Sequence, residues 1–580
     1  MKSLLVYLKG YKKETILAPL FKMLEASFEL FVPLVIAAII DVGIENKDMG
    51  YIVKMALVLV ALAIIGLTCA LTAQYFSAKA AVGFAAKLKS ALFKHIEGLS
   101  FKEIDKLGTS TLITRMTSDV NQVQSGVNLV LRLFLRSPFI VFGAMIMAFT
   151  IDVKAALIFV VAIPLLSIVV FRIMLLSIPL YKKVQSALDK VLMVTRQNLT
   201  GARVIRAFNQ EESEIREFDD KNDALTNLQK YVGKISGLMN PLTFIIVNGA
   251  IIALIWVGAI RVDNGIITQG EVVALVNYMS QILVELVKLA NLIITVTKAV
   301  ACGNRIQAVF EINNSMSEGA VNLGEYTSTD SNDTYAVEFR NVSLCYNEGA
   351  DNSLSDINFA VKKGETVGII GGTGSGKSSL VNLIPRFYDA TSGEILINGV
   401  NVKDYTFDSL RESVGIVMQK AVLFKGSIRD NIKWGKTDAT DEEIWKALEI
   451  SQSEEFVSSK EGDIDYEIAQ GGKNLSGGQK QRLTIARAVI RNPQILILDD
   501  SASALDYATD AKLRKAIKEY SDNTTVFIVS QRTASIMHAD KIIVLDEGNI
   551  VGMGKHEELL KNCEVYKEIY YSQFQKASNS

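Results

Sequence analysis

The sequence predicts an α-helical membrane domain followed by an α/β P-loop domain, and three observations support this fold class. Six long apolar stretches occupy the first 310 residues, 49% of all residues are hydrophobic, and a glycine-rich octet begins at Gly371. A chain of 580 residues is long enough for two or three domains. We therefore expect a six-span transmembrane domain with long cytoplasmic helix extensions, then an α/β domain with a helical subdomain.

Each apolar stretch reaches the roughly 20 residues that a membrane-spanning helix needs. The stretches lie near residues 15–40, 52–75, 127–151, 153–177, 240–262 and 271–297. Six spans place both ends of the domain on one side of the membrane. Residues 1–13 contain four lysines and no acidic residue, so the positive-inside rule predicts cytoplasmic N and C termini for a multi-pass protein. The first stretch lacks a small-residue cleavage site, and we interpret it as a retained span.

The connections between the spans alternate in length. Three are short and are predicted to face outside, whereas residues 76–126 and 178–239 are long, charged and patterned as helices. A helix continuing through such a connection projects well beyond the bilayer. We assign residues 1–312 to the transmembrane domain and 335–578 to the α/β domain. A linker is predicted at 313–334, which is rich in Ser, Asn, Thr, Asp and Gly, and a frayed tail at 575–580.

Composition excludes some classes of function. The 61 basic and 62 acidic residues give a net charge near −1, which offers no basis for nucleic-acid binding. None of the cysteines has metal-ligand spacing, and we interpret them as small apolar side chains. They are Cys69, Cys302, Cys345 and Cys563.

The glycine-rich octet fits G-x-x-x-x-G-K-[ST], the pattern of a phosphate-binding P-loop. Its residues are Gly371, Gly372, Thr373, Gly374, Ser375, Gly376, Lys377 and Ser378. A buried strand is predicted before it, at 365–370, and a helix after it, from Ser379. Backbone N–H groups of such a loop surround phosphates, while Lys377 would reach the β and γ phosphates and Ser378 a Mg²⁺ ion. ATP and Mg²⁺ are therefore the expected ligands.

A second motif, about a hundred residues further along, has the sequence L-S-G-G-Q. It comprises Leu475, Ser476, Gly477, Gly478 and Gln479. This motif is the signature of ABC ATPases, and the chain resembles that family over residues 335–578. Further family elements occur in the expected order around the two motifs. They are Tyr346, Gln419, the strand 495–499 that ends in Asp499, and Asp506.

The resemblance implies roles for these residues. Tyr346 would stack on adenine, Ser379 would join the ATP site, and Gln419 and Asp499 would bind Mg²⁺. In the family, the signature of one domain completes the P-loop site of another in a head-to-tail dimer, with Asp506 bridging the two domains. This chain has one such domain, so the resemblance implies a second half-transporter as partner. Gln470 stands where the family usually has Glu at a cross-domain contact.

Two positions depart from the family pattern. Asp500 stands where the family has a catalytic Glu, and Gln531 stands where it has His. Shortening the carboxylate by about 1 Å can cost on the order of 100-fold in rate. Losing a charge-stabilising side chain can cost roughly 100- to 1000-fold. These catalytic positions therefore predict a site that binds ATP and hydrolyses it slowly, as in the degenerate subunit of heterodimeric, multidrug-type ABC exporters.

Two alternatives remain open at this point. Asp500 and Gln531 could serve as tolerated substitutes in a homodimeric exporter with slow hydrolysis, or ATP could gate a channel or regulator without turnover. The fused order of membrane domain and ATPase favours an exporter by resemblance. Two segments, 101–121 and 201–211, resemble the turns that couple the membrane helices to the ATPase domains. A bacterial plasma-membrane location is expected, since no organelle presequence is present.

Ionisable residues within the predicted spans are costly and usually face a cavity or a partner. They are Lys22, Glu25, Glu29, Arg132, Arg136, Glu285 and Lys288. One interpretation is a cavity for cationic or amphipathic, drug-like cargo. The other is that Glu285 and Lys288 pair with each other, as their i, i+3 spacing allows, and that the two arginines lie near an interface.

Overall fold

The structure, a computed structural model, describes residues 2–322, 335–347, 349, 351–501, 503, 505–520 and 524–574. These residues form two compact units. The first comprises Met1–Gly98 and Leu107–Asn313, and the second comprises Leu99–Lys106 and Asn314–Ser580. The domain bounds given above stay predictions. Most of the predicted linker, at 323–334, and the predicted tail at 575–580 lie outside the described residues.

The first unit is entirely helical over its described residues. It begins with a 3₁₀ helix, Lys2–Tyr11, and contains two short π-helical segments, Ile39–Ile44 and Arg115–Asp119. Its α-helices are α1 (Lys12–Ala38), α2 (Met49–Glu97), α4 (Thr109–Thr114), α5 (Val120–Leu133), α6 (Arg136–Ile151), α7 (Val153–Ala207), α8 (Glu211–Gly237), α9 (Met239–Asp263) and α10 (Gln269–Phe310). Helix α3 (Phe101–Leu107) belongs almost wholly to the second unit.

Six helical stretches in this unit are long and apolar enough to cross a membrane, so the six predicted apolar helices are confirmed. They are Ser3–Ile44, Met49–Glu97, Thr109–Ile151, Val153–Ala207, Glu211–Asp263 and Gln269–Phe310. Each runs 42 to 55 residues, about twice the length that a bilayer requires. The two long connections are therefore helical continuations of the spans, as their sequence pattern predicted.

Local sequence explains where several of these helices begin. Asp48 accepts a hydrogen bond from the Tyr51 N–H at 3.0 Å, and Asp152 accepts one from Ala155 at 2.9 Å. Side-chain oxygens at these positions satisfy N–H groups that have no partner within the helix. The predicted span 127–151 is not one continuous helix in the structure, because α5 ends before residues 134–135 and α6 begins after them. Pro138 has no N–H to continue the backbone ladder across that point.

A network of charged side chains joins α1, α6 and α10. The Arg136 guanidinium donates to Glu29 and to Glu285, each at 2.6 Å, and its side chain is buried. Glu285 also accepts from Ser137 and from Lys288, both at 2.8 Å. In addition, Lys22 pairs with Glu25 at 2.5 Å. The Glu285–Lys288 contact is the pair that the second interpretation predicts, whereas Arg136 is buried beside the carboxylates of Glu29 and Glu285.

The second unit contains twelve strands in its described residues. They are β1 (Tyr335–Leu344), β2 (Leu354–Lys362), β3 (Thr366–Gly371), β4 (Ser392–Ile397), β5 (Val400–Asn401), β6 (Val414–Val417), β7 (Gly426–Ser427), β8 (Glu467–Ile468), β9 (Ile495–Asp499), β10 (Thr525–Val529), β11 (Lys541–Asp546) and β12 (Asn549–Gly554). Its other helices are α11 (Lys377–Leu383), α12 (Phe407–Ser413), α13 (Ile428–Lys433), α14 (Asp441–Ile450), α15 (Glu454–Ser458), α16 (Gly477–Val489), α17 (Tyr507–Tyr520), α18 (Thr533–Ile536), α19 (His556–Asn562) and α20 (Glu564–Phe574).

A six-stranded sheet with the order β12-β11-β3-β10-β9-β6 forms the centre of this unit. Five neighbouring strands are parallel, and only β12 is antiparallel. Their runs of Ile, Leu and Val are buried, as expected for a sheet covered on both faces. A four-stranded antiparallel sheet, β2-β1-β4-β5, shares a core with the central sheet. Loops at the carboxyl ends of parallel strands are the expected position of a ligand site.

A helical subdomain, which includes α13 to α16, has its own apolar core around Leu448, Leu475 and Leu483. The predicted α/β fold with a helical subdomain is therefore confirmed.

Segment 99–106 also packs within this unit. The Phe101 ring lies 4.6 Å from the Phe387 ring between centroids, and Tyr388 donates to Asp105.

Candidate nucleotide site

The P-loop connects β3 to α11, as the sequence predicted for a strand, a loop and a helix. Gly374 and Gly376 have φ values of +85° and +92°, a region that glycine adopts without steric cost. The turn directs the Lys377 ammonium back over the loop, where it donates to the carbonyl oxygens of Gly371 at 3.1 Å and Gly372 at 2.6 Å. Burial lowers the pKa of Lys377, although Asp500 and Asp499 oppose that effect.

Two carboxylates face the P-loop from the end of β9. Asp499 accepts a hydrogen bond from the Ser378 hydroxyl at 3.1 Å. Asp500 has a φ of +46°, and its carboxylate lies 3.5 Å from the Gln419 amide nitrogen. Asp tolerates this left-handed conformation better than most residues do. Burial raises the pKa of Asp499 and also that of Asp500, because it disfavours the ionised carboxylate.

A cavity of about 570 Å³ lies between the P-loop and these carboxylates, and we call it the nucleotide cavity. Ten of the residues singled out from the sequence line it: Thr373, Gly374, Gly376, Lys377, Ser378, Ser379, Gln419, Asp499, Asp500 and Gln531. The structure therefore brings together residues that are up to 158 positions apart in the chain, from Thr373 to Gln531. The other three P-loop residues also lie close to Lys377, because the carbonyl oxygens of Gly371 and Gly372 and the Ser375 hydroxyl are within 3.4 Å of its ammonium.

The donor atoms around the nucleotide cavity fit a magnesium–phosphate ligand. The Ser378 hydroxyl, the Gln419 amide and the Asp499 carboxylate supply oxygen, which Mg²⁺ prefers. Among the described residues there is no group of three or more His, Cys, Asp or Glu side chains that could hold an ion without further ligands. Mg²⁺ commonly takes one or two carboxylates and completes its shell with phosphate and water. When bound there, it would neutralise phosphate charge.

Gln531 follows β10 and projects an exposed side chain at the edge of the nucleotide cavity. The next residue, Arg532, turns toward the loop that contains Asp506. Its guanidinium donates to the carbonyls of Ser503 at 3.3 Å and Leu505 at 3.4 Å, and it lies 5.1 Å from the Tyr507 ring. The loop carrying Gln531 is thereby joined to the loop carrying Asp506.

Tyr346 lies beside the P-loop helix and does not line the nucleotide cavity. Its hydroxyl donates to Ser379 at 3.0 Å, and its ring meets the Tyr388 ring edge-on at 5.0 Å between centroids. A second cavity of about 470 Å³ is lined by Tyr346, Tyr388 and Lys102. Burial raises the pKa of Tyr346, so the hydroxyl remains a donor at neutral pH.

The signature residues and Asp506 are not among the residues that line the nucleotide cavity of the same chain. Ser476 instead caps α16, accepting from the Gln479 N–H at 3.3 Å, while the Gln479 side chain accepts from the Ser476 N–H at 3.0 Å. Leu475 is buried in the helical subdomain, whereas Ser476 and Gly477 are exposed. Asp506 caps α17 through two hydrogen bonds from Thr509, at 2.9 and 2.8 Å.

Several residues that line the nucleotide cavity were not predicted from the sequence. They are Asp351, Asn352, Ser353, Val529, Ser530, Glu547 and Gly548. The turn between β11 and β12 could have been predicted from Glu547-Gly548 between two apolar runs. No local signal places that turn near the P-loop, because the approach depends on how β11 pairs with β3.

Fold and site together define a six-helix membrane protein with a P-loop ATPase domain at its C-terminal end. The pattern of the ABC transporter transmembrane region matches residues 15–286, and the pattern of the ABC transporter ATPase matches residues 354–503. The chain belongs to the ABC transporter family, and its relatives place it among the ABC exporters.

Two similar proteins and one solved structure illustrate this membership. The chain is 35% identical over 571 residues to the uncharacterized ABC transporter ATP-binding protein Rv1273c of Mycobacterium tuberculosis, covering 98% of this chain and 97% of the relative. It is 33% identical over 484 residues to the ATP-dependent lipid A-core flippase of Desulfotalea psychrophila, covering 83% of each. A bacterial Atm1-family ABC exporter with ATP bound shares the fold, with a TM-score of 0.79, 22% identity and 97% and 98% coverage of the two chains.

Proposed function

We propose that this chain is one subunit of a heterodimeric ABC exporter, in which it holds ATP at a catalytically weak site. The observation that carries the proposal is the composition of the nucleotide cavity. Lys377, Ser378 and Asp499 are the residue types that bind phosphate and Mg²⁺ in the family. Asp500 and Gln531, in contrast, stand where the family has its catalytic Glu and His. Binding would therefore be preserved while turnover is slow.

Each residue has a distinct part in this proposal. Lys377 and the P-loop amides would bind the phosphates, and Tyr346 would contact adenine. Asp500 would orient the attacking water with a carboxylate that is one methylene shorter than Glu. Gln531 is uncharged and would polarise the γ-phosphate less than a protonated His would. The expected outcome is long retention of ATP at this site.

The signature of this chain would serve the partner subunit. Leu475–Gln479 keeps the full L-S-G-G-Q sequence, and Ser476 and Gly477 are exposed at the start of the 13-residue helix α16. Exposed N–H groups at a helix start bind phosphate oxygens well. Ser476 would thus face the γ-phosphate on the partner's P-loop, with Asp506 at the contact between the two ATPase domains.

The cargo class that we propose is amphipathic or drug-like, moved out of the cytoplasm across a bacterial plasma membrane. Both termini would be cytoplasmic, as the lysines of residues 1–13 predict. One relative carries the name of a lipid A-core flippase, which supports an amphipathic cargo. The paired membrane charges give no support for a strongly charged one, since Arg136 and Glu285 are already bonded to each other.

Co-expression tests the proposal. The chain is produced alone and together with a neighbouring ABC half-transporter, and ATPase activity is measured for each chain and for the mixture. We expect activity in the mixture only, and its loss when the partner's catalytic Glu is changed to Gln. Turnover by this chain alone that disappears in Asp500→Asn would instead establish a homodimeric exporter. ATP-gated ion currents without cargo accumulation would establish a channel or regulator.

A further inference from the structure

We propose that Gln573, near the end of α20, is a positioning residue for the loop that carries Gln531. The inference rests on the proposed role of Gln531 beside the γ-phosphate. Gln573 is far from the P-loop in sequence and belongs to none of the motifs discussed above. Its contacts nevertheless lead directly to the edge of the nucleotide cavity.

The side-chain amide of Gln573 makes two hydrogen bonds to the backbone of this loop. Its nitrogen donates to the carbonyl oxygen of Gln531 at 2.7 Å, and its oxygen accepts from the Thr533 N–H at 2.9 Å. One planar amide therefore bridges the backbone on both sides of Arg532. We call this pair of bonds the Gln573 clasp.

The loop needs such a partner because the sheet ends there. Ser530 N–H still donates to Ile369 of β3 at 3.0 Å, and Arg532 N–H turns back to the Ser530 hydroxyl at 2.9 Å. Beyond these bonds the backbone has left the strand ladder, and α18 has only four residues. Backbone groups without partners destabilise the conformation that exposes them. The Gln573 clasp supplies a donor and an acceptor at this point.

Helix α20 is itself fixed to the strand that leads into the P-loop. Tyr566 is fully buried in a cluster with Ile370 of β3 and Ile536 of α18. The Tyr566 hydroxyl also bonds to His556 Nδ1 at 2.7 Å. One helix therefore shares an apolar cluster with the P-loop strand through Tyr566 and bonds to the Gln531 loop through Gln573. We expect the separation between Lys377 and Gln531 across the nucleotide cavity to depend on this connection.

The clasp bonds the backbone carbonyl of Gln531 and does not act on its side chain directly. Loss of the clasp should therefore loosen the loop without unfolding the domain. The affected property would be retention of ATP, because the γ-phosphate side of the cavity would open more often.

The test uses the full chain in lipid nanodiscs, with Gln573→Ala, Gln573→Glu and the control Ser572→Ala. Within the part of the chain that the structure describes, the Ser572 hydroxyl donates to Ile569 of its own helix, at 2.8 Å. Amide exchange of residues 530–533 and dissociation of radiolabelled ATP with Mg²⁺ are measured. In Gln573→Ala we expect both rates to rise at least about fivefold, because the variant loses both hydrogen bonds of the clasp and losing one neutral hydrogen bond usually has about a fivefold effect. Ser572→Ala should change neither rate.

The glutamate variant separates positioning from general packing, because it keeps the size and the acceptor but removes the donor. At pH 8 its carboxylate faces the Gln531 carbonyl, so it should resemble Gln573→Ala. Near pH 5 the carboxyl begins to protonate and can donate again. Both rates, each divided by the wild-type rate at the same pH, should then fall back toward one. A ratio that is the same at pH 8 and pH 5 would overturn the proposal.

Two other results are decisive. Faster amide exchange together with unchanged ATP dissociation would reject the positioning role while leaving the proposed function intact. Failure of the wild-type chain to bind ATP would contradict the proposed function, and amide exchange, which needs no nucleotide, would still show whether the clasp exists. Unchanged exchange in Gln573→Ala would show that it does not.

Discussion

The Tyr388 hydroxyl donates a hydrogen bond to the Asp105 carboxylate at 2.6 Å, and this bond joins segment 99–106 to the ATPase domain. Burial raises the pKa of Tyr388, and the bond to Asp105 raises it further, so the hydroxyl stays a donor at neutral pH. The same ring meets Tyr346 edge-on at 5.0 Å. Segment 99–106 and the proposed adenine-binding tyrosine therefore share one aromatic neighbour.

Removing the Tyr388 hydroxyl should loosen segment 99–106. In Tyr388→Phe we expect its amides to exchange roughly fivefold faster, which corresponds to about 1 kcal/mol for one lost hydrogen bond. Tyr520→Phe is the matched control, because its hydroxyl bonds to Val489 O and Asn492, each at 2.9 Å, in another part of the domain. Equal exchange in Tyr388→Phe and wild type would show that the aromatic contacts of Phe101 alone hold the segment.

Restoring the family side chains at the two altered positions should restore hydrolysis. We expect Asp500→Glu combined with Gln531→His to raise the ATPase rate of this chain's own site by at least about 100-fold, because the carboxylate and a charge stabiliser return to the γ-phosphate. The rate is measured with a partner whose own catalytic Glu is changed to Gln. A double variant as slow as the wild type would show that other residues limit turnover.

The signature serine should matter for the partner's site more than for folding. Ser476→Ala removes the side-chain cap of α16 and is expected to destabilise the chain by about 1 kcal/mol, while ATPase activity of the assembled transporter falls at least about tenfold. Thr440→Ala is the control, since Thr440 forms the same kind of capping box at α14. Similar losses of activity in both variants would indicate a stability effect rather than a contact with ATP.

Removing one member of the network of charged side chains around Arg136 should destabilise the protein. Arg136→Ala leaves Glu285 buried beside fewer partners, and we expect a loss of about 3–5 kcal/mol, the usual range when one member of a buried pair is removed. Arg216→Ala is the control, because its pair with Glu212 is exposed and such pairs contribute at most about 1 kcal/mol. Thermal unfolding in nanodiscs provides the comparison, and equal shifts would contradict the prediction.

Acid should weaken the attachment of α20. Burial lowers the pKa of His556 below its ordinary value of 6.5. Between the folded pKa and 6.5, the unfolded chain binds the proton more readily, so this contribution to stability is present above about pH 6.5 and is lost as pH falls through the folded pKa. His556→Gln should therefore show a smaller drop in melting temperature from pH 7.5 to 5.5. An identical drop in variant and wild type would exclude His556 as a cause.

Local sequence was sufficient for the six membrane helices and for the strand and helix that flank the P-loop. Six apolar stretches predicted six helices because a bilayer demands about 20 apolar residues whatever else the chain contains. The strand before Lys377 and the helix after it followed from the P-loop pattern and its flanking apolar runs. The break at residues 134–135 was missed, although Pro138 carried the signal for it.

For the nucleotide site, the sequence and the tertiary structure each determined a different part. Spacing and residue type in the sequence determined which side chains could bind phosphate, and that Asp500 and Gln531 depart from the family. Only the tertiary structure placed Glu547 and Gly548 at the cavity, bonded Gln573 to the Gln531 loop, and paired Arg136 with Glu29 and Glu285. The physical reason is the separation along the chain between the residues that interact. Helices, strands and loops follow from interactions among near neighbours, whereas contacts between residues far apart in the chain depend on how the strands pair and how the helices pack.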